Sequence, residues 1–540
     1  MAEQIVQIKS LPGIKRDGTR LEGDNYVDGQ WVRFQRGLPR KIGGYRSINK
    51  FLLGVARTLF EYTQDNLTYV HAGSTRRVER FYIDGTYNTS VIADRTPTTG
   101  FTVLPANLWQ FDVAYDTTNG SQLVAQVAPN LNCLCNSEGG SLFTGDLLGL
   151  APLTPVTMVP ANFNCSGGVV ALPPYTFAFG NDGYVAWSVP NGPADFTSSG
   201  AGNAYITGQK VVKGMPLRGG PGNSPSGMFW SADALIRASY VGGTAVFQFD
   251  TISTQSSILS AACVIEYDGI FYWVGTDRFL TFNGVVREVE NNLSLNFFFD
   301  NINMAYRQKV FAIKVPRYGE IWWCFPKGDS IEPDHAVIYN VRENSWYDTP
   351  LPNNGRAGGL FPAVFRKPLM SGSEPYALPD DTRVTESGSS RVTEDGEDYR
   401  LTEDSGAPRY KFWVHEVGTD EIDGIAINPI RSFFETADLS LPVSAQQNKA
   451  LQVVMLEPDF LQSGPMTVQV HGRANARAPE VESESVVIPE VAATPQEQVV
   501  FLKTQRRQLR FRFESDCVGG DYQMGLVLAH LQPGDATVLG

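Results

Sequence analysis

Residues 263–289, with the sequence CVIEYDGIFYWVGTDRFLTFNGVVREV, decide the fold class of this chain. Short runs of alternating apolar residues are separated there by the pairs Asp268-Gly269 and Asn283-Gly284. Such pairs between alternating runs are the strongest short-range signal for a β-hairpin, because both residues adopt the positive φ angles of a tight turn at low cost. The stretch therefore predicts short antiparallel strands joined by tight turns.

The same pattern recurs between about residues 57 and 430, for example around Asp84-Gly85 and Asn119-Gly120. Units of four short strands that recur about every 40–60 residues favour the blades of a β-propeller, with about five to seven blades in this length of chain. A set of separate β-sandwiches is the alternative. From about residue 431 the strands become longer and alternate regularly, which is typical of a β-sandwich.

The N-terminal segment differs from the rest of the chain in charge. The first 57 residues carry a net charge of +6, which leaves −19 for the remainder. Trp, Tyr and Arg are the residues that most often anchor protein interfaces, so we expect a contact with another subunit here. A nucleic-acid site, or an N-terminal strand of the propeller, are the alternatives. The expected contact residues are Trp31, Arg33, Phe34, Arg36, Arg40, Lys41 and Tyr45.

The sequence thus predicts an all-β protein with three parts. A basic and aromatic docking arm occupies residues 1–56, a β-propeller-like core occupies 57–430, and an added C-terminal β-sandwich occupies 431–540.

A triple repeat interrupts the predicted propeller, within an insertion over residues 372–408. The tetrapeptide Arg-Val-Thr-Glu begins at Arg383 and at Arg391, and Arg-Leu-Thr-Glu begins at Arg400. Turn-forming residues flank each unit, so the repeat predicts a small meander. The strands have little to bury, and we expect the three arginines to contact a fibre or a neighbouring subunit. A flexible linker is the alternative.

The sequence contains few signs of catalysis. It has neither a phosphate-binding loop nor a nucleophile elbow, and its five histidines are scattered. A propeller glycosidase would need converging carboxylates, but Asp268, Asp277 and Glu320 lie at hairpin turns, where Asp is favoured for turn geometry alone. We therefore expect no catalytic site, cofactor or metal. We also expect no signal peptide and no membrane span, because no apolar run approaches about 20 residues.

Several segments of this chain resemble the tail nozzle proteins of short-tailed bacteriophages, also called tail hub or packaged-DNA stabilisation proteins. Residues 11–19 and 26–45 look like the N-terminal signature of that family, and residues 186–196 and 275–284 look like its blade motifs. The triple repeat is similar to repeats in phage virion proteins.

The resemblance implies a structural virion protein and not an enzyme. It implies a hexameric ring below the portal and the adaptor ring, which retains packaged DNA and forms the channel for its ejection. Tail fibres, spikes or a needle would dock on the ring, which would meet the host surface only indirectly, and double-stranded DNA would pass without sequence-specific binding. A propeller-type tailspike enzyme or glycan-binding protein, and a capsid decoration protein, are the alternatives.

Overall fold

The computed structural model describes residues 4–19, 23–104, 107–129, 140–157, 165–217, 224–376, 409–439, 449–475, 477–490 and 499–536. Regular structure in these ranges is almost entirely β-strand, and most strand pairs are antiparallel. The predicted all-β fold is therefore confirmed. The predicted triple repeat, with Arg383, Arg391 and Arg400, lies outside the described residues.

Within the described residues between 58 and 350 the chain forms six antiparallel sheets of four strands, and the strands of each sheet lie in chain order. Sheet 1 contains Thr58–Gln64, Leu67–Gly73, Val78–Ile83 and Ala93–Asp94, and sheet 2 contains Asn107–Asp116, Gly120–Pro129, Ser141–Asp146 and Thr154–Pro155. Sheet 3 contains Gly168–Leu172, Tyr175–Phe179, Tyr184–Trp187 and Gly202–Tyr205, and sheet 4 contains Val211–Pro216, Ser226–Ser231, Leu235–Tyr240 and Phe247–Ser253. Sheet 5 contains Ile265–Tyr267, Ile270–Val274, Phe279–Phe282 and Val286–Glu288, and sheet 6 contains Phe311–Val315, Glu320–Phe325, His335–Asn340 and Ser345–Pro350.

Sheet 5 contains the turn from which the fold class was predicted. Asp268 and Gly269 join the first two strands of this sheet, with φ angles of 51° and 80°. Both angles are positive, as a two-residue hairpin loop of this kind requires. The indoles of Trp230 in sheet 4 and Trp273 in sheet 5 pack edge to face at 5.8 Å, so neighbouring sheets share one apolar layer.

Sheet 7 closes the ring with a strand from the N-terminal segment. The first strand of sheet 7, Arg356–Leu360, lies beside the first strand of sheet 6 and beside that of sheet 1. The seven sheets thus form a β-propeller-like core. In spatial order the strands of sheet 7 are Arg356–Leu360, Leu369–Tyr376, Arg409–His415, Tyr45–Leu52, Glu421–Asp423 and Ala426–Asn428.

The C-terminal β-sandwich takes strands from both ends of the chain. Its large sheet has the order Val500–Phe501, Lys449–Ser463, Asp521–Ala536, Leu38–Lys41, Val32–Gln35, with Gln4–Ile8 paired to Asp521–Ala536 and Gln505–Arg506 paired to Lys449–Ser463. Its small sheet has the order Asp28–Gln30, Ser432–Glu435, Gln508–Ser515, Met466–Arg473, Val481–Ile488. The strands Leu11–Ile14 and Asn25–Tyr26 form a separate parallel pair.

Helices in the described ranges are short. One α-helix spans Leu295–Asn301, and 3₁₀-helices span Asn181–Gly183 and Met304–Lys309. None of the helices there is long and apolar enough to cross a membrane.

The predicted docking arm over residues 1–56 is corrected by these strand pairs. Val32–Gln35 and Leu38–Lys41 belong to the large sheet of the sandwich, and Tyr45–Leu52 belongs to the propeller. The segment is therefore a structural part of both modules. Its apolar side chains account for this placement, because Phe34 and Val32 have no exposed surface at all.

Phe34 tests whether the N-terminal segment is part of the core. Its ring lies 5.2 Å from that of Tyr26 and 5.4 Å from that of Tyr347. We expect Phe34→Ala to lower the free energy of unfolding by about 3–5 kcal/mol, measured by denaturant titration. Val91→Ala, at an exposed position, is the control and should change it by less than about 0.5 kcal/mol. Equal effects would contradict the burial of this segment.

Glu79 gives a prediction about pH. This buried carboxylate on Val78–Ile83 accepts the backbone N–H of Leu53, just beyond the closing strand, at 2.9 Å. Burial raises its pKa to about 7. A raised folded-state pKa means that the associated stability is present below the unfolded value, near pH 4.3, and is lost as the pH rises through about 7.

We therefore expect Glu79→Gln to flatten the fall in melting temperature between about pH 5 and about pH 8, because the glutamine cannot ionise. Glu61→Gln, in the first strand of the same sheet, is the matched control. A melting profile of the Glu79 variant that still follows the wild type would contradict the proposed titration.

Candidate functional site

The structure places most of the predicted contact residues inside the chain itself. Trp31, Arg33, Phe34, Lys41 and Tyr45 are all buried within this one chain, so their assignment to a surface facing another subunit or an adaptor is corrected. Arg36 is exposed and Arg40 is half-buried, and for these two residues the contact stays a prediction. Together the buried residues form a joint between sheets 6 and 7 and the sandwich.

Arg33 is the centre of this joint. Its guanidinium is 1% exposed and binds two carboxylates: Nε lies 2.9 Å from Oε1 of Glu320 in sheet 6, and Nη1 donates to Glu416 at 3.0 Å. The ring of Tyr318 lies 3.6 Å from the guanidinium carbon, within cation–π distance. Burial by itself would lower the pKa of Arg33, but the two carboxylates outweigh it and raise the pKa above its usual value.

Glu320 is satisfied by further donors besides Arg33. The hydroxyl of Tyr347 donates to it at 2.7 Å and the indole Nε1–H of Trp322 donates at 2.9 Å. Burial raises the pKa of Glu320, and the Arg33 guanidinium opposes that rise. This carboxylate, which sequence analysis placed at a hairpin turn, therefore serves as the buried partner of a cation.

A second ion-pair cluster fixes the same region from the N-terminal side. Arg16 donates from Nε to Oδ1 of Asp348 at 2.7 Å and from Nη1 to Oδ1 of Asp28 at 2.5 Å. The other oxygen of Asp348 lies 2.9 Å from Nε2 of His335. Burial alone would raise the pKa of Asp348, but Arg16 and His335 outweigh it and lower the pKa to about 2.

Aromatic rings fill the space beside these ion pairs. Trp31 packs edge to face on Tyr45 at 5.8 Å, and Tyr45 stacks on His415 at 5.3 Å. The backbone of Trp31 has a φ of 53°, which is strained for a bulky residue, and its N–H donates to Oγ1 of Thr349 at 2.9 Å. The strained conformation carries the indole into the joint, where it is 3% exposed.

The remaining cation of the joint, Lys41, binds the main chain. Its ammonium donates to the carbonyl of Gly520 at 2.7 Å, and burial lowers its pKa. The basic residues of the N-terminal segment that are buried therefore meet carboxylates or carbonyls of the same chain. These ion pairs and hydrogen bonds hold the propeller and the sandwich together.

A cavity of about 190 Å³ between the first strands of several propeller sheets is the other candidate site. Three cationic residues, Arg57, Lys213 and Lys309, are among its lining. Two of them are already engaged, since Arg57 forms a double hydrogen bond with Glu332 at 2.7 and 2.8 Å and Lys309 reaches the same carboxylate at 2.6 Å.

The carboxylates considered for catalysis do not meet at this cavity. Asp268 is exposed in its turn, Asp277 is exposed and pairs with Arg278 at 3.3 Å, and Glu320 lies in the joint. None of the three lines the cavity. The structure does not bring them together as a glycosidase site requires.

Comparisons with known proteins add little to this geometry. No protein-family model matches the chain, and no curated protein matches it. Among solved structures, a protein described as a "putative 6-phosphogluconolactonase" from Bacteroides uniformis is similar to it at a TM-score of 0.34 and 12% identity, over 63% of this chain and 98% of that one.

The joint gives a prediction for Arg33. Replacing it with methionine leaves two carboxylates without their cation, and we expect the free energy of unfolding to fall by about 3–5 kcal/mol at neutral pH. Because burial raises the pKa of Glu320, the loss should shrink at acidic pH, where Glu320 takes up a proton. Denaturant titration at several pH values measures both effects.

Two further variants control this measurement. Arg33→Met combined with Glu320→Gln should recover part of the loss, since one buried charge is then absent. Arg278→Met removes an exposed ion pair and should cost no more than about 1 kcal/mol. If Arg33→Met were as mild as Arg278→Met, the joint would not depend on this ion pair.

Proposed function

We propose that this chain is a structural subunit of a bacteriophage tail nozzle, a ring that lies below the portal and adaptor rings. The proposal rests on how the basic N-terminal segment is bound within the chain. This segment is the part with the strongest resemblance to that family. Its buried cations Arg33 and Lys41, and half-buried Arg16, bind carboxylates or carbonyls of the same chain. The most basic stretch of the sequence therefore forms a structural joint.

This internal pairing bears on how DNA would pass through the ring. The chain carries a net charge of −13, and a phosphate backbone needs a basic surface to bind. An acidic channel wall would repel the duplex, so DNA would slide through without sequence-specific binding. Retention would then depend on a physical closure below the ring.

Assembly of such a ring must overcome the same charge. Six copies at −13 each carry a total of about −78, so repulsion opposes closure unless the charge faces solvent and the lumen. A rigid joint supports this arrangement, because it keeps the propeller and the sandwich in one relative orientation.

The remaining parts of the proposal concern partners and chemistry. The chain would act without catalysis and without a cofactor, as part of the virion. The adaptor ring would contact one end of the nozzle through exposed Arg36 and half-buried Arg40, and fibres, spikes or a needle would dock on the other parts. The host surface would be met only through those attachments.

Negative-stain imaging of the purified chain mixed with adaptor rings tests the proposal. We expect rings of six subunits with a central channel, seated coaxially on the adaptor. Bovine serum albumin, an acidic protein of similar size, is the control for nonspecific attachment. Monomers that cleave host polysaccharide would instead support a tailspike enzyme, and attachment to capsid shells but not to adaptor rings would support a decoration protein.

A further inference from the structure

The outer face of the large sandwich sheet carries several apolar side chains at its surface. Strand register places Ile5 opposite His530, His530 opposite Met455, and Met455 opposite Phe501, so the four side chains form one row across four strands. Ile5 is 60% exposed and Phe501 is 54% exposed. Directly opposed residues of paired strands lie on the same face of a sheet, so Ile5, Met455 and Phe501 share this face, interrupted by His530, which is buried and paired with Glu457.

The apolar surface extends along the sheet from this row. Leu461, opposite Gln523, is 74% exposed, and Leu526 is 49% exposed. Leu528 follows Leu526 on the same strand and is half-buried. We call the six residues Ile5, Met455, Leu461, Phe501, Leu526 and Leu528 the apolar stripe.

The fold itself does not require the apolar stripe. Neighbouring residues on the same strands, such as Leu456, Val500 and Ala529, point to the other face and are buried in the sandwich core. An antiparallel sheet with one buried face usually presents polar side chains on the other face. A contiguous apolar patch on a surface is typical of a contact with another molecule.

One end of this outer face is already an interface within the chain. Arg40 lies opposite Gln523, which in turn lies opposite Leu461, so Arg40 and Leu461 belong to the same row. Arg33, opposite Arg40, stacks on the ring of Tyr318 in the propeller. The propeller therefore covers one end of the face, and the apolar stripe is the uncovered continuation of it.

The charge of the chain indicates which binding partner fits the apolar stripe best. Two acidic groups lie on this part of the face: Glu457, opposite Leu528, lies 2.6 Å from Nε2 of His530, and exposed Asp459 lies at the strand irregularity beside Leu526. Gln7, opposite Leu528, and Gln523 are neutral. Two copies of a chain with a charge of −13 repel each other over most of their surface, so a nearly neutral apolar area is where they approach at the lowest cost.

We propose that the apolar stripe is a contact surface for a second copy of this chain, through which neighbouring subunits pack in the ring. The inference rests on the proposed function and adds to it the surface through which subunits meet. The stripe would supply the dehydrated centre of the interface, and the flanking glutamines would supply hydrogen bonds at its rim.

The test replaces stripe residues in the full chain. Phe501→Glu with Leu461→Glu adds charge to the stripe, and Phe501→Gln with Leu461→Gln removes apolar surface without adding charge. Val91→Glu with Leu150→Glu is the matched control, since both of these exposed apolar residues lie in the propeller and the added charge is the same. Circular dichroism and thermal melting establish that each variant is folded.

Sedimentation velocity measures self-association, and negative-stain imaging scores ring formation with and without adaptor rings. We expect both stripe variants to weaken association at least about tenfold, with the charged pair having the larger effect, and the propeller control to assemble as the wild type does.

Stripe variants that assemble normally would overturn this inference and leave the proposed ring intact. A wild type that assembles neither alone nor on adaptor rings would overturn both. A monomeric wild type that binds phosphatidylcholine vesicles through the stripe would assign the surface to a membrane instead.

Discussion

A guanidinium buried between two carboxylates constrains the architecture of this protein. A charge removed from water is tolerated only when paired and hydrogen-bonded, so Arg33 can be buried only where Glu320 and Glu416 are also present. Glu320 belongs to sheet 6, Glu416 follows a strand of sheet 7, and Arg33 lies on a strand of the sandwich. The propeller, through its sheets 6 and 7, and the sandwich must therefore meet at one point in a fixed orientation.

The chain path explains why such a point is needed. The sandwich takes its N-terminal strands from Gln4–Ile8 and from the described strands between residues 28 and 41, and its other strands from the described ranges between 432 and 536, with the propeller inserted between these two parts. The strand Tyr45–Leu52 then leaves the sandwich and closes sheet 7, so both ends of the insertion lie beside the joint. Pairings over such sequence distances form late and slowly, and the ion pairs make the final arrangement specific.

Local signals in the sequence predicted the propeller-like fold, because the residues of a tight turn determine whether a hairpin forms there. Asp268-Gly269 is such a case, and its hairpin forms as expected. The burial of Arg33 could not be predicted in this way, since its partners lie 287 and 383 residues away. The positive φ of Trp31 had no local signal either, because it depends on the cluster that receives the indole. The composition of this basic and aromatic segment is therefore typical of an exposed interface, although its residues lie in the core of the chain.

The same pairing redistributes charge over the molecule. Arg16 and Arg33 pair with carboxylates of the same chain and Lys41 binds a backbone carbonyl, so these three cations of the N-terminal segment are engaged within the chain. The chain as a whole carries a net charge of −13. An acidic surface opposes contact with DNA and with other copies alike. The proposed contact between copies is therefore least costly at an apolar area, and the joint links the sheet that carries this area to the propeller.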